Sequence, residues 1–284
     1  MPACLLPDRG VVSVYGPDAE AFLDTLLTVS VKHMSEGEAR FGALLTPQGK
    51  IIVDGSFVKS AEGFLIDCPR ILAADFARRL GFYKLRSNVT VVDESHFYSV
   101  FTYWADTKPP EHAGLAFKDP RLAALGQRLI ASNTSLAPAE GSAKSYERHR
   151  IELGVPDGLR DFTYGDAFPH EADMDQLHGI DFHKGCYVGQ EVVSRMQHRG
   201  IARTRIVPVM FNGGMPPANG SDAVAGCKVI GHIGSTTETG QALALLRLDR
   251  VADAMAEGQQ LTAGGISFKL ERRDWMNLDF PKGL

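Results

Sequence analysis

His183-Lys184-Gly185-Cys186-Tyr187-Val188-Gly189-Gln190-Glu191-Val192-Val193-Ser194-Arg195 is the densest run of chemistry in the chain. A thiol, an ammonium, a carboxylate, a primary amide and two glycines fall between Lys184 and Glu191. Gly185 and Gly189 bracket the thiol, and glycine takes turns that a β-carbon forbids. Lys184 lies two residues before Cys186, with Arg195 and Arg199 soon after. A thiol beside cations ionises more readily, and the thiolate is both nucleophile and soft metal ligand. The bland alternative is a buried structural cysteine in a glycine turn, because cysteine packs as a small hydrophobe. Lys-Gly-Cys reads as a loop, and the chain turns regular from Gln190 onward.

Outside this run, composition narrows the classes. The chain has 284 residues, 44% hydrophobic and 23% charged, which fits a folded protein of two or three domains. A net charge of −4 argues against a dedicated nucleic-acid binder, so any basic site must be local. No apolar run approaches the 20 residues or so of a membrane span. Met-Pro-Ala-Cys-Leu-Leu-Pro-Asp-Arg has neither the charged start nor the apolar core of a signal peptide, and its early acid argues against a transit peptide. Cys4, Cys68, Cys186 and Cys227 are scattered, with no pair at zinc or cluster spacing. Four reduced thiols and a cytoplasmic location are therefore expected.

Upstream, Gly10 to Gly16 reads as a strand, and Pro17-Asp18-Ala19-Glu20 opens a helix. Arg40 to Leu45 and Lys50 to Phe57 form a hairpin about the turn Thr46-Pro47-Gln48-Gly49, with Pro at its second position. Phe64 to Cys68 is a third strand, Ile71 to Leu80 a helix and Val89 to Asp93 another strand. Antiparallel hairpins mixed with helices favour α+β over a doubly wound sheet. No Gly-rich phosphate loop follows a strand. Thr134 to Ser145 reads as a linker, and Tyr146 to Leu153 as a helix stopped by Gly154-Val155-Pro156. After Gly200, short glycine-punctuated strands suggest a small β-barrel or sandwich. The division expected is 1–202 for the interleaved α+β region and 203–284 for the barrel.

Lys184-Gly185-Cys186-Tyr187-x-Gly189-Gln190-Glu191, with Arg195 four residues on, resembles the signature of the YgfZ-type folate-binding proteins. These are paralogues of the glycine-cleavage T-protein, an aminomethyltransferase, and include the mitochondrial iron–sulfur assembly factors. Gly16-Pro17-Asp18-Ala19, Phe22-Leu23 and Leu44 to Ile51 resemble the family's N-terminal pattern, and Arg150 with Gly154-Val155-Pro156 its Arg-x-x-x-Gly-x-Pro element. Where the family has Thr-Asn-Asp-Val, this chain has Thr28-Val29-Ser30-Val31. The resemblance implies two interleaved ferredoxin-like α+β units and a C-terminal barrel around a central folate pocket. It implies tetrahydrofolate or a related reduced folate as ligand, and support of iron–sulfur assembly or repair, tRNA-modifying enzymes included, as function.

The resemblance assigns Lys184, Cys186, Gln190 and Glu191 to the chemistry. It assigns Glu171, Arg150, Tyr146, Tyr187 and Arg195 to the folate. A carboxylate accepts the paired N–H donors of a pterin, which suits Glu171. Tyr146 can stack on the ring, or pack as a core aromatic. Lys184, Arg195, Arg199, Arg203 and Arg205 face only Glu191, a basic strip for a folate's glutamate tail or equally for an RNA phosphate. His170, His178, His183 and His198 lie near Cys186 in sequence but match no metal motif. Cys186 with His183 is a second option as a nucleophile, and a cluster shared with a partner protein a third. Partners are folate and iron–sulfur client or assembly proteins, with no membrane and nucleic acid only through tRNA-modifying enzymes. Two further readings stay open. One is a tetrahydrofolate-dependent aminomethyl transferase, with Asp54 as its aspartate, and the other is a binding module for tRNA-modifying enzymes.

Overall fold

The computed structural model describes residues 2–133, 140–199, 203–213 and 215–278. Part of the expected linker, 134–139, and residues 200–202 beside the expected domain division lie outside that set. The chain divides into two compact units that interleave in sequence: Met1–Tyr146 with Leu177–Gln190, and Glu147–Gln176 with Glu191–Leu284.

The first unit holds strands β1 (Ala3–Leu5) and β2 (Arg9–Tyr15), helix α1 (Ala19–Leu26), strands β3 (Ala39–Leu45), β4 (Ile51–Ser60) and β5 (Gly63–Pro69), and helix α2 (Arg70–Tyr83). Strands β6 (Thr90–Asp93), β7 (Tyr98–Tyr103), β8 (Leu115–Lys118) and β9 (Gln127–Ser132) follow. An antiparallel sheet of order β3-β4-β5-β2-β6 carries both helices. Phe22, Leu23, Phe76 and Leu80 of the helices, with Leu27 just past α1, meet Val12, Val14, Phe57, Phe64 and Ile66 of the sheet. Strand β2 is buried from Arg9 to Val14 on both faces, with Arg9 and Ser13 as buried polar residues among the valines. The β3–β4 turn closes as expected: Gly49 N–H donates to Thr46 O at 2.8 Å and Gly49 takes φ 80°.

The second sheet, β1-β7-β9-β8, has no counterpart in the sequence reading. Its pairings join Ala3 to Tyr103 and Tyr98 to Ser132, so no local turn announces them. Cys4 is a buried residue of β1, and burial pushes its thiol up to about 11.

The second unit holds most of α3 (Ala143–Leu153) and α4 (Gln190–Arg199), then strands β10 (Thr204–Phe211), β11 (Asp222–Ala225), β12 (Lys228–Thr236) and β13 (Gln241–Arg247), helix α5 (Leu248–Ala256), β14 (Leu261–Ala263) and β15 (Ile266–Leu270). The six strands close as a barrel of order β10-β13-β12-β11-β14-β15. Closure removes the unpaired edges of so short a sheet. Val207, Val209, Ile233, Ala244, Leu246 and Phe268 are among the side chains of its core. No helix among the described residues is long and apolar enough to cross a membrane.

Candidate functional site

In the first unit the site is built on the C-terminal end of α1. A helix leaves its last carbonyls without partners, and here a lysine from far along the chain takes that of Asp24 and two just past the helix, those of Leu27 and Val29. Lys184 Nζ donates to Asp24 O at 2.6 Å, Leu27 O at 2.7 Å and Val29 O at 2.9 Å. An ammonium has three N–H bonds, so all are committed and none remains for the Cys186 sulfur. The expected pairing of Lys184 with the thiol is replaced by a buried cap. Burial pushes the ammonium down to about 8, against the opposing pull of Asp24 and Asp181. The Lys184 nitrogen also lies 5.5 Å from the centre of the buried Tyr187 ring.

Two further residues fix this loop. Asp181 Oδ1 accepts the backbone N–H of His183 at 2.8 Å and of Lys184 at 3.1 Å. Thr28 Oγ1 donates to Gly179 O at 2.6 Å and accepts from Ala43 N–H at 2.9 Å, while Asp181 N–H donates to Thr28 O. The divergent Thr28-Val29-Ser30-Val31 segment is thus fully engaged. Val29 and Val31 are buried, and Ser30 hydroxyl donates to Asp24 Oδ1 at 2.8 Å. Asp24 and Asp181 were missed in the sequence because neither lies in the motif. Their signal was only an acid at a helix end and an acid before a loop.

Cys186 is exposed on this pinned loop. Gly189, at φ 82°, presses against the β3–β4 turn, where a β-carbon would meet Thr46 O at 2.7 Å. Gly185 has ordinary backbone and open space around it, so only one of the two bracketing glycines is demanded by geometry. Gln190 begins α4, and Glu191 is exposed, bonded to Arg195 at 2.5 Å one turn on. Tyr146 packs in the first unit against Trp104, with ring centroids 5.5 Å apart, and is a buried aromatic.

In the second unit Arg150 is a buried hub. Its five N–H bonds go to Glu147 Oε2, Glu147 Oε1, Val155 O, Asp161 Oδ2 and Ser235 Oγ, tying α3 to strand β12. A saturated guanidinium has no donor left for a ligand. Glu171 lies on a different surface, a cleft of about 530 Å³ lined also by Phe168, Val192, Met196, Arg203 and Arg247. Its Oε2 accepts Phe168 N–H at 2.8 Å. Asp249 bonds Arg247 at 2.6 Å and lies 3.8 Å from Arg203, and these cations hold its carboxyl down to about 2.

Residues of the expected basic strip are taken up by partners within their own units. Lys184 is a cap, Arg205 is buried against Asp175 at 2.5 Å and Asp173 at 3.3 Å, and Arg195 is paired with Glu191. Arg203 faces the cleft, and the Arg199 side chain is outside the described set. Among the described residues no three His, Cys, Asp or Glu converge as metal ligands. His170 is buried, with Nε2 3.1 Å from Gln197 Oε1.

Residues 203–278 match the C-terminal β-barrel domain of CAF17. The mitochondrial iron–sulfur cluster assembly factor IBA57 of Mus musculus is 30% identical over 269 residues, 85% of this chain and 73% of the mouse protein. The Homo sapiens protein is 32% identical over 265 residues, 82% and 72% of the two chains. The chain belongs to the IBA57 family. The IBA57 homologue of Neurospora crassa is 33% identical, but this chain spans 56% of that protein's length. The aminomethyltransferase T of the glycine cleavage system from Bartonella henselae superposes with a TM-score of 0.74, covering 99% of this chain and 87% of the other at 14% identity, so the T-protein fold is shared.

These IBA57 relatives are mitochondrial proteins, which overturns the cytoplasmic location expected from composition and cysteine usage. A reduced thiol set says only that the compartment is not oxidising, and organelle addresses are read by receptors rather than encoded in a folded body.

Proposed function

We propose that this chain is a folate-binding accessory factor for assembly or repair of iron–sulfur proteins, of the YgfZ type, with tRNA-modifying iron–sulfur enzymes among its clients. The observation that carries the reading is Cys186, an exposed thiol on a loop held rigid by Lys184, Asp181 and Gly189. A thiolate is a soft ligand suited to iron. Nothing near it completes a ligand set among the described residues, so a cluster at Cys186 is cargo whose remaining ligands come from a partner protein. The relatives named as iron–sulfur cluster assembly factors support this.

A reduced folate is the ligand suggested by the resemblance of the Lys184–Glu191 run to the YgfZ-type proteins, and the Glu171 cleft has donors and acceptors suited to one. Glu171 offers a carboxylate to the adjacent N–H groups of a pterin, and Arg203 and Arg247 offer guanidinium groups to a glutamate tail. Phe168, Val192 and Met196 supply the apolar wall. When bound, the folate would supply one-carbon chemistry, while Glu171 orients the ring. The second reading, an aminomethyl transferase, is favoured only by the shared fold.

One paired experiment tests the proposal. Cys186→Ser should fold, bind reduced folate as wild type in calorimetry, and fail to restore iron–sulfur enzyme activity in cells lacking the protein. Glu171→Ala should weaken folate by about 1.5–3 kcal/mol, as for a lost bond to a charged group. Full complementation by Cys186→Ser, or glycine-cleavage exchange activity at the level of a true T-protein, would overturn the reading.

A further inference from the structure

The chain leaving α2 turns its apolar side chains outward. In Arg78-Arg79-Leu80-Gly81-Phe82-Tyr83-Lys84-Leu85-Arg86, Leu80 is buried but Phe82 is 68%, Tyr83 37% and Leu85 91% exposed. Leu85 sits at φ 42°, in the left-handed region that strains a leucine and suits glycine. The turn holding it is built rather than loose: Ser87 N–H donates to Lys84 O and Asn88 N–H to Asp18 Oδ2, both at 2.7 Å. Arg78 is bonded to Asp75, and its guanidinium carbon lies 5.5 Å from the Phe82 ring centre, fixing that ring in water. Strain held at an exposed apolar tip points to function rather than to stability.

The charges indicate what covers it. Residues 78–86 hold Arg78, Arg79, Lys84 and Arg86 and no acid, in a chain of net charge −4. Asp75 serves both Arg78 and Arg79, whereas Lys84 and Arg86 pair with no carboxylate among the described residues. The Leu85 tip itself lines a shallow, open cleft of about 690 Å³, together with Asp18, Tyr83, Lys84, Arg86 and Ser87. A protrusion that borders a concavity matches the fixed relief of a protein, which a fluid bilayer lacks.

We propose that this α2 end is a docking surface for an acidic partner protein, whose carboxylates meet Lys84 and Arg86 and whose apolar side chain fills the cleft that Leu85 lines. This rests on the reading that the chain works with an iron–sulfur assembly or client protein.

The test places the photo-crosslinker p-benzoylphenylalanine at Phe82 in the full chain, in cells that depend on it. The cross-linked protein is identified by mass spectrometry, purified, and titrated against the chain. The expected product is an acidic iron–sulfur protein. Leu85→Asp and the charge reversal Lys84→Glu/Arg86→Glu should each weaken its binding by at least about tenfold, as at interface hot spots. Leu85→Gly, which relieves the backbone, should keep or raise the melting temperature while still losing affinity. Folate binding and alkylation of Cys186 should be unchanged in all of them, so a failure here is separable from a failure at the Cys186 or Glu171 sites. Wild-type affinity in both surface variants would overturn the proposal. So would cross-linking to a second copy of the chain, or flotation on phosphatidylcholine–phosphatidylglycerol vesicles that Leu85→Asp abolishes.

Discussion

Lys184 shows how a residue's role is set by what surrounds it. Sequence proximity makes it a helper for Cys186, yet its three donors close the end of α1. Lys184→Met should leave those carbonyls without donors and cost about 2–4 kcal/mol, as for buried groups stripped of a charged partner. The pH dependence follows from its lowered value of about 8 against the ordinary 10.5. Below about pH 8 the folded and unfolded chains both hold the proton, and the burial cost is constant. Between about 8 and 10.5 the unfolded chain holds the Lys184 proton that the folded chain has shed, so this lysine's contribution to stability rises with pH, while the buried Cys4 thiol, raised to about 11, works in the opposite direction. Urea unfolding at a series of pH values should show wild type gaining stability relative to Lys184→Met across that range. Parallel curves would mean that Lys184 stays charged throughout.

At the scale of elements, the 183–189 loop and the β3–β4 turn are a matched pair. Gly189 lies on that turn so closely that a methyl group would strike Thr46 O, and its φ adds a second penalty. Gly189→Ala should therefore cost about 2–4 kcal/mol, combining left-handed strain with a clash against backbone that is itself hydrogen-bonded. Gly185→Ala, in open space with ordinary backbone, should melt within about 0.5 kcal/mol of wild type. Thermal unfolding of the two variants separates the glycines that the sequence treats alike. Equal effects would remove the turn contact from the account of how Cys186 is presented.

At the scale of the molecule, sequence reasoning left out the second sheet and also a line of five buried charges in the first unit. Arg9 bonds Asp67, Asp67 bonds Arg128, Arg128 bonds Asp119 at 3.0 Å, and Asp119 bonds Arg121 at 2.8 Å, linking the two sheets. The Arg121 and Arg128 guanidinium groups outweigh burial and hold Asp119 well below the usual carboxylate range. Its contribution is complete above about pH 4 and is lost as pH falls through the folded value. Asp119→Asn should cost about 3–5 kcal/mol at neutral pH by leaving the buried Arg121 without a carboxylate and Arg128 with Asp67 alone, and should flatten the acid limb of the stability profile. An acid limb as steep as wild type would place the titrating group elsewhere. These charges were illegible because their partners lie as far apart as Arg9 and Arg128, and no periodicity marks a buried arginine. The hairpin about Pro47 and Gly49, the helices opened by Pro17 and stopped by Gly154, and the glycine-punctuated barrel strands were legible, because turns and periodicities are local. The Lys184–Glu191 signature pointed to the relatives of the iron–sulfur assembly factors for the same reason, as one contiguous run. What only the tertiary structure decided is where each charged side chain ends: Lys184 on a helix end, Arg150 in a closed hub, Arg205 against two aspartates. A polar group leaves water only where acceptors converge on it, and that convergence is a property of the folded chain rather than of neighbours in sequence.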